Sequence, residues 1–150
     1  MTNPAYAPPA AMLRRPGPAF LVPLLVVPLI LYNLFAFIFF QGTPAGWANP
    51  ILSIFMPSRA PWILTLGDVM VVIGLVFLFF EILKSTRVGN TSIFEHILST
   101  LVFVVYLVEF ILVGACASST FFILMVMAII DVIAGFSVSM SAAQRDVTYN

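Results

Sequence analysis

LVFVVYLVEFILVG, Leu101–Gly114, is an apolar run interrupted by one phenol, Tyr106, and one carboxylate, Glu109. Extended back to Ile93, it covers residues 93–113, enough for a helix to cross the roughly 20 residues of a bilayer core. A carboxylate is costly against acyl chains, so a spanning helix must turn Glu109 toward protein. Steps of three and four lead back from Glu109 through Tyr106, Val102 and Ser99 to Glu95, which predicts one polar seam on one helix face.

The rest of the chain matches that reading. Of its 150 residues, 62% are hydrophobic and 8% are charged, whereas a soluble domain carries roughly a quarter charged residues. So few charges cannot cover a water-facing surface, and lipid is the expected solvent. The net charge is zero and no basic cluster is dense enough for nucleic acid. The single cysteine, Cys116, excludes an internal disulfide, a cysteine zinc site and a paired-cysteine redox motif.

Three further runs have spanning length: about 20–40, 63–83 and 120–140. Backbone groups in hydrocarbon need internal partners, so these are expected as helices. Without alternation of period two they do not read as barrel strands. Short connections after the second and third runs favour antiparallel neighbours. The expected fold is an all-α integral membrane protein, an up-down four-helix transmembrane bundle over residues 20–140. A Pro-rich tail, 1–19, and a short tail, 141–150, flank it.

Arg14, Arg15, Lys84, Arg87 and Arg145 fall on one side of these spans and Arg59 alone on the other. By the positive-inside rule both termini are expected in the cytoplasm; the size and span number are those of a small bacterial inner-membrane protein, which is the expected setting. The first run is longer and bulkier at its end than a cleaved signal peptide, so it reads as a retained span. Pro23 and Pro28 are expected to kink it.

The loop QGTPAGWANPILSIFMPSRAPW, residues 41–62, is long yet apolar. Asn49 as an N-cap, with Pro50 after it and Pro57 ending the turn, predicts a short interfacial helix over ILSIFM. Trp47 and Trp62 are expected as anchors in the headgroup zone.

Counting residues from the span ends puts Asn33, Asp68 and Glu109 within about one helical turn of a common depth, with Asp131 roughly 10 Å deeper. With Tyr106 these residues are expected to form a polar pocket opening outward, rich in acids and lacking a base. Gly67 and Gly74 on the second span, and Ala128 and Gly135 on the fourth, are small enough for close helix packing. Asp131 is then a candidate clamp between those two spans. Nearer the inner side, Ser92 and Glu95 have capping-box spacing, and Glu81 sits three residues before Lys84, as an ion pair would require. His96 stands alone, so no metal site is expected.

No nucleophile–base pair, metal-ligand set, phosphate loop or haem ligand pair emerges, and neither an enzyme nor a cofactor is expected. The expected role is an accessory, assembly or scaffold subunit acting through helix–helix contacts, with lipids and another membrane protein or a second copy as partners. The alternative is a small transporter or proton/cation pathway through Asp68, Glu109 and Asp131.

Overall fold

A computed structural model describes residues 22–85 and 92–148. The tail 1–19, with Arg14 and Arg15, lies outside them, as do Arg87, most of the connection after the second span, and the side chains of Ser92 and Arg145. In chain order the elements are α1 (Val26–Leu34), continued by a π-helical turn (Phe35–Phe39), a 3-10 turn (Pro44–Ala48), β1 (Pro50–Phe55), β2 (Pro61–Thr65), α2 (Leu66–Ser85), α3 (Ser92–Leu112), a 3-10 turn (Gly114–Cys116) and α4 (Ser119–Thr148).

Within α2, α3 and α4 lie three stretches long and apolar enough to cross a membrane: Leu66–Ser85, Phe94–Leu112 and Ser119–Ser137. The first helical run, Val26–Phe39, is apolar but shorter. Hydroxyls inside these helices bond to their own backbone four residues back: Ser85 to Glu81, Thr100 to His96 and Ser137 to Ile133. A hydroxyl satisfied in this way carries no unpaired polar atom into an apolar surround. α4 continues to Thr148, so residues 141–148, expected as a tail, belong to this 30-residue helix.

α4 packs against both α2 and α3. Against α2 the contacts advance in step: Gly67 meets Thr120, and Gly74 meets Leu124 and Met127. Against α3 they run in opposite order: Tyr106 lies by Phe121, and His96 stacks on Phe136. α1 crosses this layer with Leu25, Pro28, Leu29, Tyr32 and Ala36 inward, the three-and-four spacing of a buried helix stripe. Pro28 has no N–H for the Leu24 carbonyl, which instead accepts from Val27 at 3.0 Å. The next bond, Leu29 N–H to Leu25 O, is long at 3.4 Å, so the proline loosens the first turn.

The expected interfacial helix is not formed, and the fold is not all-α. ILSIFM lies in and just after β1, which pairs antiparallel with β2; Ile54 faces Trp62 and Ser53 faces Ile63. A six-residue helix would pay most of the nucleation cost for very few bonds, whereas the β-branched and aromatic residues here suit a pleated ladder. The turn between the strands closes through Arg59 N–H to Met56 O at 2.8 Å and Met56 N–H to Ala60 O at 2.9 Å. Arg59 takes φ +65°. Because Pro61–Thr65 is a strand, the second long helix begins at Leu66 and not at residue 63.

Candidate functional site

Asn33, Asp68, Tyr106, Glu109 and Asp131 do not line one pocket. They are distributed over three places, each at a contact between elements.

The first is the α1–α3 contact beneath the hairpin end. Asn33 sits in the last turn of α1 and its Nδ2 donates to Glu109 Oε2 at 2.7 Å and to Leu29 O at 3.1 Å. Cys116 enters from the turn after α3, with Sγ 3.9 Å from the same Glu109 oxygen. Burial, and then the neighbouring Glu109 carboxylate, push this thiol up to about 12. Beside it, the Tyr32 hydroxyl lies 3.0 Å from Ala115 O and 2.7 Å from Ser118 Oγ. Ser118 in turn caps α4 by accepting from Phe121 N–H at 3.1 Å. One turn below Glu109, Tyr106 is fully buried and donates to Leu25 O at 3.0 Å. Ser99 and Tyr106 of the predicted seam are buried, and Glu95, Val102 and Glu109 are half-buried, so the seam faces protein.

The second place is at the opposite end of α2. Glu81 is 2% exposed. One of its oxygens pairs with Lys84 Nζ at 3.1 Å and the other accepts from Leu24 N–H at 2.8 Å. Lys84 also donates to Val22 O at 3.2 Å. A helix on one element thus satisfies an amide that the start of another leaves open. Asp131, also buried, takes the Ser99 hydroxyl as a hydrogen-bond donor and feels both the Glu81 carboxylate and the Lys84 ammonium. It therefore ties α4 to α3 through Ser99, with the charged groups of α2 close enough to act on it.

The third place is the start of α2, where Asp68 is exposed. Its Oδ2 accepts from Thr65 N–H at 2.8 Å and from Thr65 Oγ1 at 2.7 Å, while Asp68 N–H reaches Thr65 Oγ1 at 3.2 Å. This reciprocal pair is a capping box; it occupies Asp68 locally and keeps it away from Glu109.

The small residues lie at helix contacts. A Cβ on Gly67 would meet the Thr120 side chain and the Trp47 carbonyl, and one on Gly135 would meet the His96 ring. Ala128 is buried. The two tryptophans part company. Trp47 is not a headgroup anchor: it is 4% exposed and stacks on Tyr32 at 4.4 Å, with the Phe40 ring edge-on at 5.1 Å. Trp62 is 45% exposed on the hairpin.

The sequence reading missed Tyr32, Ser118 and the capping of α1 by Glu81. The spacing of Leu25, Leu29, Tyr32 and Ala36 signals a buried face containing Tyr32. Nothing local signals that Glu81 meets an amide 57 residues away. Among the described residues, no group of three or more His, Cys, Asp or Glu is placed to hold a metal ion. Chemically, the first two places hold helices together by hydrogen bonds and one ion pair, and the third caps the start of α2. No family model, no curated protein and no solved structure matches this chain.

Proposed function

We propose that this chain is a small integral membrane subunit, accessory to a larger membrane complex or a scaffold within it, acting through helix–helix contacts. The observation that carries the reading is the surface of α3. Only 17% of its spanning window is buried inside the chain, and its outward residues Ile97, Leu101, Val104, Val108 and Ile111 are all apolar and exposed. A helix so thinly covered has most of its surface free for lipid or another helix. In this reading α1 completes a fourth, shorter span of an up-down arrangement. The sequence positions of the cations at 14, 15, 84, 87 and 145 favour both termini on the cytoplasmic side by the positive-inside rule, and a bacterial inner membrane is the proposed setting.

The transporter alternative is weaker, because its three acids are dispersed. Asp68 is held in a capping box, Glu109 by Asn33, and Asp131 by Ser99. The test is a mild-detergent pull-down of the tagged full-length chain from its native membrane, with mass spectrometry of what co-purifies. Stoichiometric membrane partners are the expected result. A clean homo-oligomer that moves protons or cations into liposomes, with flux lost in Glu109→Gln or Asp131→Asn, would replace this reading with the alternative.

A further inference from the structure

The hairpin of β1 and β2 has no polar face. Along β1, Leu52 and Ile54 point one way and Ser53 and Phe55 the other, with Ile51 in an irregularity of the ladder; on β2, Trp62 sits opposite Ile54, while Ile63 sits opposite Ser53. All six apolar residues are exposed, from Ile54 at 40% to Phe55 at 80%. A soluble hairpin keeps one face for water, and a protein partner lying on one face would leave the other bare. A fluid apolar boundary covers both faces at once.

Position and charge narrow the occupant. β2 runs into α2 without an intervening residue, and Leu66 N–H ties back to Asn49 O at 3.0 Å. Both strand roots are therefore fixed at the end of a helix of spanning length. A two-stranded sheet also has two open edges, whose N–H and C=O groups cannot be left in hydrocarbon. The headgroup zone offers apolar chain ends together with water and phosphate. Within residues 50–65 the only ionisable side chain is Arg59, at the tip; a guanidinium matches a phosphate with two parallel hydrogen bonds.

We infer that this hairpin is a lipid-binding wedge: its apolar faces enter the headgroup–acyl boundary of the leaflet at the α2 N-terminal end, and Arg59 binds lipid phosphate there. The inference rests on the membrane reading above, and flotation of the full-length protein with vesicles tests that reading separately.

The direct test is fluorescence of the full-length protein in phosphatidylcholine–phosphatidylglycerol vesicles whose acyl chains carry bromine either near the glycerol end or near the methyl end. Subtracting the Trp62→Phe variant, which retains buried Trp47, isolates the Trp62 signal. Quenching is expected to be roughly twofold stronger from the shallow bromines, as for a group about 5–10 Å into the boundary. Arg59→Asn removes the charge while keeping a residue that tolerates positive φ. It is expected to raise the aqueous acrylamide quenching of Trp62 severalfold in these vesicles and to leave that in pure phosphatidylcholine less changed. Trp62 open to acrylamide and insensitive to bromine would overturn the inference, because the hairpin would then stand in water. Trp62 shielded from both quenchers would overturn it too, because protein would then cover the hairpin. An unchanged Arg59→Asn protein would remove the phosphate contact.

Discussion

Glu81 and Glu109 are both glutamates on apolar helices, yet their surroundings differ in kind. Glu81 is almost fully buried and meets a cation and an open backbone amide. Glu109 is half-buried and, among the described residues, its hydrogen bonds come from neutral donors, the Asn33 amide and the Cys116 thiol. The contrast follows from helix ends. Glu81 sits near the C-terminus of α2, where Lys84 is one turn away and the start of α1 leaves its first N–H groups without partners. Glu109 is near the C-terminus of α3 and has no cation within its sequence neighbourhood. A charge-assisted pair in a dry site is costly to break from one side, whereas neutral hydrogen bonds at a half-open site contribute about 1 kcal/mol each.

The largest effect expected at the Glu109 end is chemical. Cys116 is fully buried beside that carboxylate. With its thiol moved from the ordinary value of 9.0 to about 12, the folded protein holds about a thousandfold less thiolate at neutral to mildly alkaline pH. Maleimide in mild detergent should leave Cys116 unlabelled, and denaturation in dodecyl sulfate should restore labelling at the rate of a free thiol. Because the folded state holds the proton more tightly, this group's contribution to stability is complete below pH 9. It is lost as pH rises toward about 12. Fast labelling of the native protein would show the thiol beside Glu109 open to solvent and unperturbed, against the burial assigned to Cys116.

Next in size is Glu81→Leu, expected to cost about 3 kcal/mol in detergent unfolding, since it strands both Lys84 and the Leu24 amide. Adding Lys84→Leu should recover most of the charge contribution, because an apolar pair can replace a buried ion pair at little cost. About 1 kcal/mol should remain from the unsatisfied amide. Full recovery would mean that Glu81 does not cap α1. At the other end Asn33→Ala is expected to cost only about 1–2 kcal/mol, as it removes neutral hydrogen bonds worth about 1 kcal/mol each. A loss as large as that of Glu81→Leu would make the two ends equivalent.

These contacts also mark where a sequence can and cannot be read. The three long helices were legible, to within a few residues at most of their ends, because an unbroken apolar run has only one stable form in lipid. The seam of Ser99, Tyr106 and Glu109 was legible because helix periodicity decides which residues share a face. The single acid pocket was not correct, for a geometric reason. Asp131 lies with Ser99 and Glu81 at the other end of α2, and Asp68 is exposed and held in its own capping box, so neither reaches Glu109. ILSIFM failed for another reason: a short apolar run suits a strand as well as a helix. Of its partner PWILT, the last three residues, Ile63–Thr65, read equally well as the start of the following span. The pairing of Glu81 with Leu24 was invisible because a backbone amide carries no sequence signal.

The smallest effect lies away from both glutamates, at the hairpin turn. Arg59 is a non-glycine residue held at φ +65°, a conformation that costs an L side chain roughly 1–2 kcal/mol and glycine far less. Glycine also loses more freedom on folding, so Arg59→Gly is expected to stabilise the turn by no more than about 1 kcal/mol. Hydrogen exchange at the Met56 and Arg59 amides, which close the turn, reads this locally, and global unfolding should barely move. Slower exchange in Arg59→Gly would show that arginine is kept against the turn's own preference, as a role for its charge requires. Faster exchange would show that the arginine side chain itself stabilises the hairpin, and the small gain assigned to relief of positive φ would be wrong.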